Sequence, residues 1–355
     1  MGSAQRAGLA VTAPFSRHTN ISTMKTPPKN EYPRPNLKRA HWLNLNGQWG
    51  FATDPDNLGI RQQWWLREKW PETITVPFCP NSPASGVQID PDITTVWYHR
   101  TFELPDWASA DVVLNIGACD YHSQIYINSQ QAGEHQGGYT PIHLSIGDYL
   151  KPGTNHIVVR ATDSDSWQQP RGKQEGTTRW PIDYDAVIGI WQSVWLEPTN
   201  AVHITHLGSH YDLRAQQLHL TCTLSDQFHG QLTAHLRTND LDVAATSAEG
   251  QARSELRITL DVADPRLWSP EQPFLYDLAL SLTDVDGQTL DKVTSYAGLR
   301  EIAAINGKHC LNGAPIYLRG VLDQGYFPEG WYCAADDSVL RQDCLLYTSD
   351  AADES

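Results

Sequence analysis

Basic residues are scarce in this 355-residue chain: 26 Lys and Arg stand against 41 Asp and Glu, for a formal net charge of −15 and a pI near 5.3. A surface of that sign repels phosphate backbones and anionic lipid, so no nucleic acid and no membrane is expected as partner. No apolar run approaches the roughly 18 residues of a membrane-spanning helix, and residues 1–23 hold no apolar core suited to a secretory signal. Cysteine is also sparse. Cys79, Cys119, Cys222, Cys310, Cys333 and Cys344 are scattered without any Cys-x-x-Cys, which speaks against zinc and against a disulfide framework. Reduced thiols in a cytoplasmic protein are the simplest reading. The 14 histidines include no His-x-x-x-His on a helical stretch, and no carboxylate converges on His135 or His143. No metal site is expected. Phosphate-binding loops and dinucleotide fingerprints are missing as well, so no cofactor is expected.

What the chain does have is short strands separated by turns. With 40% apolar and 10% aromatic residues it can bury two ordinary domains and part of a third. Residues 1–31 read as a tail of small and polar residues. Met24 is the only methionine besides Met1, and translation is expected to start there. From 32 to 198 the pattern is all-β. Leu45-Asn46-Gly47-Gln48-Trp49-Gly50-Phe51 places an Asn-Gly turn before an aromatic strand, and Trp97–Leu104 alternates as a half-buried strand does. Val112–Ile116, Gln124–Asn128 and His156–Arg160 follow, with a Gly137-Gly138-Tyr139 corner and a Lys151-Pro152-Gly153 turn between them. Many short strands with turn signals describe a jelly-roll sandwich.

Residues 199–297 carry a second set of strand candidates at His203–Gly208, Gln217–Leu224, Gln231–Leu236, Ser254–Leu260, Leu275–Leu282 and Thr289–Tyr296, spaced as in an immunoglobulin-like sandwich. A third region begins at 298. Asn306-Gly307 and Asn312-Gly313 are pairs that tolerate positive φ at both central positions of a type I′ turn, so both read as hairpin tips. Ile316–Val321 then forms a mostly apolar run fitting a strand buried on both faces. Asp336–Asp343 looks like the first turns of a helix, acidic where the macrodipole favours it. Cys344–Ser355 breaks the apolar stripe, and residues 344–355 are expected to be a non-native tail resembling translated adapter DNA.

Several of these stretches together resemble glycoside hydrolase family 2, the β-galactosidase and β-glucuronidase family. Trp97-Tyr98-His99-Arg100-Thr101-Phe102 matches the Trp-Tyr-x-Arg-x-Phe strand of its sugar-binding domain, and Gly133-Glu134-His135-Gln136-Gly137-Gly138-Tyr139 the segment after the aromatic-Ile-Asn strand Tyr126-Ile127-Asn128. Gly189-Ile190-Trp191-Gln192-Ser193-Val194-Trp195-Leu196 matches its closing element. Asp264–Pro270 with Pro273–Tyr276 resembles the Pro-x-Leu-Trp-Ser-Pro and Pro-x-Leu-Tyr signature of the next domain, and Leu318-Arg319-Gly320-Val321 the first strand of a catalytic (β/α)8 barrel. The resemblance implies a sugar-binding jelly-roll domain over 32–198, an immunoglobulin-like domain over 199–297 and the truncated start of a barrel over 298–343. Such a barrel takes roughly 250 residues, far more than lie between Ile316 and Ser355.

The resemblance further implies retaining hydrolysis of β-glycosides by two glutamates of later barrel strands, one an acid/base and one a nucleophile. No residue of this chain matches either, so no catalytic residue is assigned and the 355-residue chain is expected to be inactive. Candidate substrate-binding residues are Asp183, six residues before Gly189, and Asp323, Gln324 and Tyr326, which follow the first barrel strand where such active sites assemble. Asp183 also fits a solvated loop charge, Asp323 a turn cap and Tyr326 a packing residue. The implied partner is an oligosaccharide or a polysaccharide-derived β-glycoside, and the intact enzyme could assemble as an oligomer. Among the 13 tryptophans, Trp97 and Trp191 read as core, and Trp167 and Trp180 are open to a stacking role. The rival reading is a non-catalytic carbohydrate-binding protein of two sandwiches.

Overall fold

The structure is a computed structural model that describes residues 27–106, 111–164, 166, 168–175 and 183–348. Trp167 and Trp180 lie outside the described residues. Two antiparallel sheets face each other in the first sandwich. The larger has the order Glu72–Val76, Gly47–Thr53, Thr95–Glu103, Thr154–Thr162, His122–Ile127, Gln130–Gln136; the smaller runs Leu43–Asn44, Val194–Thr199, Asp111–Ile116, Ile142–Ser145. Apart from the consecutive pairs Gly47–Thr53 with Glu72–Val76 and His122–Ile127 with Gln130–Gln136, neighbours in each sheet come from distant parts of the sequence, as jelly-roll connections require. The period-two alternation sends Trp49, Phe51, Tyr98, Leu114, Ile116, Ile125, Ile127, Val159 and Leu196 into one core. Each large side chain buried there contributes about 1.5–3 kcal/mol.

The outer face of the larger sheet is not left to water. Trp64, Trp97, Tyr126 and Val158 form a second apolar layer, roofed by Trp65 and Trp70, with Trp65 stacked on Tyr126 at 4.8 Å. Much of the tryptophan content is therefore structural. Trp97 is fully buried as expected, whereas Trp191 is only half-buried, and its indole Nε1 donates to Gly138 O at 2.8 Å.

In the second sandwich the strands Ile204–Asp212, Gln217–Thr238, Tyr276–Asp284 and Thr289–Ala297 lie in that order, and Leu241–Asp261 pairs along Gln217–Thr238. The expected pair Gln217–Leu224 and Gln231–Leu236 is thus one strand of 22 residues. The polar Ser225-Asp226-Gln227 interrupts the apolar alternation, but the chain stays extended across a register shift between Thr223 and Phe228. Gly230, at φ +148°, lets the strand pass where any Cβ would lie 2.1 Å from Thr283 O.

Residues before the first sandwich strap the two domains together. Leu37 is buried in the second core, and Lys38 and Thr294 exchange backbone hydrogen bonds of 2.8 Å each. Past the second sandwich, Asn306-Gly307 and Asn312-Gly313 turn the small sheet Ile302–Ile305, Lys308–Leu311, Ala314–Pro315 with positive φ at both residues of each pair, as expected. Ile316–Val321 departs from expectation. It forms no strand, and Tyr317 and Leu318 are 84% and 66% exposed. A parallel barrel strand is defined by its neighbours, and no other described strand lies beside it. The helix appears at Asp337–Thr348, capped by Asp336 Oδ1, which accepts from Ser338 N at 2.7 Å and Val339 N at 3.2 Å.

Candidate functional site

A cavity of about 860 Å³ opens where the first sandwich meets the residues after the small hairpin sheet. One wall is the loop Asp90–Thr94, which enters the Thr95–Glu103 strand. The second is Asp163-Ser164 at the end of the Thr154–Thr162 strand, and the third is Asp185–Ile188. Trp331, from a different region of the chain, closes it. Asp90, Asp92, Asp163 and Asp185 and the amide residues Asn81 and Gln88 give it polar lining, and the Trp331 indole joins aliphatic residues such as Ile89 and Ile93 as its apolar lining. A sugar offers both kinds of surface, hydroxyls around its edge and C–H groups on its faces.

The loop bearing Trp331 is a closed unit in which Phe327 and Trp331 exchange backbone hydrogen bonds of 2.8 Å each. Hydrogen bonds and ring contacts tie it and its flanks to the sandwich. Ala84 N donates to Glu329 O at 2.8 Å, and Tyr326 Oη donates to Asp185 Oδ2 at 2.6 Å. Tyr326 also stacks on Tyr184 with ring centroids 4.6 Å apart and planes 9° from parallel. Beneath this pair Tyr332, Tyr139 and Trp191 meet edge-on or tilted. Burial, then the neighbouring Tyr139, pushes the Tyr332 hydroxyl above the usual tyrosine range, so it stays protonated.

The candidate residues fall into place unevenly. Tyr326 joins the two regions through Asp185. Gln324 Oε1 accepts from the Tyr184 hydroxyl. Asp323 is exposed, and its Oδ1 accepts from Gly325 N at 2.8 Å, the geometry of a turn cap. Asp183 is half-buried just before the short strand Tyr184–Asp185, and the cavity is walled instead by Asp185, two positions on. Sequence reasoning did not single out Asp92, Asp163 or Trp331. The only signal for Asp163 was its place directly after a strand, and nothing in the local pattern marks the other two.

Two family models match the chain, "Glycosyl hydrolases family 2, sugar binding domain" over residues 43–199 and "Glycosyl hydrolases family 2" over residues 202–300. The chain belongs to glycoside hydrolase family 2. Among relatives of the same family, a β-glucuronidase of Paenibacillus borealis is 28% identical over 310 residues, which cover 81% of this chain and 50% of that protein. A β-galactosidase of Thermoanaerobacter pseudethanolicus is 25% identical over 313 residues, 85% of this chain and 41% of that protein. The crystal structure of Ruminococcus gnavus β-glucuronidase superposes with a TM-score of 0.74 at 22% identity, covering 89% of this chain and 54% of that one, which shows the shared fold. This family 2 chain spans about half the length, or less, of these relatives.

Proposed function

We propose that the intact family 2 enzyme hydrolyses terminal β-glycosides with retention, as a β-galactosidase-like or β-glucuronidase-like enzyme. The observation that carries this reading is the shared cavity, where carboxylates of the sugar-binding sandwich face an indole from the region that resembles the start of the barrel. Asp163 and Asp185 would accept hydrogen bonds from sugar hydroxyls while Trp331 lies against a ring face. The chemistry itself falls to two glutamates on further barrel strands. One protonates the leaving oxygen; the other attacks the anomeric carbon, and water then releases the sugar from the glycosyl-enzyme. Their carboxyls must stand roughly 5–5.5 Å apart, and no residue of this chain is assigned to either role. The 355 residues alone are therefore expected to bind a sugar weakly and to turn none over, and reduced thiols favour a cytoplasmic setting.

The test is an independent long read of the gene past the codon for Asp343, followed by assay of the full product on aryl β-D-galactoside and β-D-glucuronide. A frame that continues into a barrel and yields turnover supports the proposal. A true stop after Ser355, or turnover by the 355-residue chain itself, would overturn it; the stop would favour the two-sandwich binding protein.

A further inference from the structure

The cavity wall at residues 184–188 is a marginal piece of structure. Its strand pairing in the described region is two residues long, Tyr184 beside Gln174 and Asp185 beside Glu175, too short to hold a wall by itself. Gln174 supplies what the pairing lacks. Its side chain is 5% exposed and bonded at both ends: Oε1 accepts from Val187 N at 2.6 Å, and Nε2 donates to Tyr139 Oη at 3.0 Å and Asp120 Oδ2 at 3.2 Å.

Asp120 carries the brace into the core. It is 2% exposed and pairs through its backbone with Gly189, beside Cys119 and Ile190 of the first core. Gly138 covers its carboxyl so closely that any Cβ there would lie 2.2 Å from Oδ1. An apolar residue would pack here at lower cost, since burying a carboxyl is unfavourable unless it is hydrogen-bonded, and Asp120 takes that bond from Gln174. Burial, and then the nearby Asp163 charge, raises its pKa to about 7 against the opposing Gln174 bond. Local rules of this kind are broken mainly at functional sites.

We infer that Asp120 and Gln174 form a brace that positions the 184–188 wall and, through Asp185 and Tyr326, the loop carrying Trp331. Both are positioning residues for the glycoside site, an assignment that rests on the reading of the cavity given above. The path runs from core strand to Asp120, to Gln174, to the backbone of Val187, to Asp185 and across to Tyr326.

Hydrogen–deuterium exchange on the 355-residue chain tests it, reading peptides that cover 184–190 and 324–332, with one inside Tyr276–Asp284 as control. Gln174→Met keeps the volume and loses the three bonds; it is expected to speed exchange at least about ten-fold in the first two peptides and to leave the control unchanged. Asp120→Ala is expected to do the same. Asp120→Asn, which keeps an acceptor for Gln174, is expected to stay within about two-fold of the native protein. Unchanged exchange in Gln174→Met, an equal rise in the control, or an Asp120→Asn variant as labile as Asp120→Ala would overturn the brace. No saccharide is present in the measurement, so failure of the brace and failure of the cavity to take a glycoside are read apart.

Discussion

Arg39 holds Asp291 with two parallel hydrogen bonds, 3.1 Å from Nε to Oδ1 and 2.8 Å from Nη2 to Oδ2. Its third nitrogen, Nη1, donates to Glu197 Oε2 at 2.6 Å. Glu197 ends the first sandwich, on the Val194–Thr199 strand, and Asp291 lies in the second, on Thr289–Ala297. One guanidinium thus fastens the two domains. Tyr32 and Trp195 donate to Glu197 Oε1 at 2.7 and 2.5 Å, and Arg34 Nη2 donates to Oε2 at 3.3 Å. Burial alone would lower the Arg39 pKa, but the Asp291 hydrogen bonds and the Asp291 and Glu197 charges outweigh it, so the group stays charged.

Removing that cation strands Asp291 in the interior and leaves Glu197 with Arg34. Arg39→Met is expected to cost about 3–5 kcal/mol, because breaking the buried pair leaves the Asp291 charge uncompensated. Arg39→Lys should recover little, since an ammonium cannot make the bidentate fork. Urea unfolding followed by tryptophan fluorescence reads both. An Arg39→Met protein within about 1 kcal/mol of the native one would show that the domains are held by apolar packing instead.

Asp120 makes stability depend on pH in an unusual direction. Burial first, then Asp163, raises its folded-state pKa to about 7, against about 3.9 in an unfolded chain. A carboxyl whose pKa is raised by folding contributes its full stability below about pH 4, and that contribution is lost as pH rises through about 7. A tenfold change in proton affinity is worth about 1.4 kcal/mol, so a loss on the order of 2–4 kcal/mol is expected. Other groups titrate alike in the native protein and in Asp120→Asn and cancel in the difference between them. That difference should move against the native protein between about pH 4.5 and about pH 8 and then level off. A flat difference across the range would mean the carboxyl is already ionised in acid.

How far the sequence alone could be read depended on whether a feature is local. Asn306-Gly307 and Asn312-Gly313 state their turn in two residues, since only a few side chains tolerate positive φ. Trp97–Phe102 shows its strand by alternation. Ile316–Val321 shows a different strand signal, a mostly apolar run, but has no neighbouring strand among the described residues, and an apolar run without neighbours stays exposed. The long Gln217–Thr238 strand was hidden because Ser225-Asp226-Gln227 interrupts the apolar alternation, while the pairing partner that keeps it extended lies dozens of residues on. The cavity was the least legible part. Asp185 meets Tyr326 across 141 residues, and no periodicity encodes which of two nearby aspartates, Asp183 or Asp185, faces the loop. Asp120 sits among small residues that read as a connection, and its partner Gln174 is 54 positions away.

Gly189 opens the closing Gly-Ile-Trp element, and the structure gives its reason. Its φ is +84°, and a Cβ would lie 2.1 Å from the Tyr98 hydroxyl and 2.9 Å from two ring carbons. Tyr98 is fully buried and cannot retreat, since it packs against Phe51 at 5.3 Å, while its hydroxyl accepts from Ile190 N at 3.3 Å. Gly189→Ala therefore combines backbone strain of about 1–2 kcal/mol with overpacking of about 1–3 kcal/mol. The expected loss is about 2–5 kcal/mol in urea unfolding. Because the hydroxyl is the nearest obstacle, Tyr98→Phe should recover part of the loss in the double variant, with a coupling of about 0.5–3 kcal/mol. Strictly additive losses would mean that the strain at φ, rather than the contact with Tyr98, requires glycine at this position.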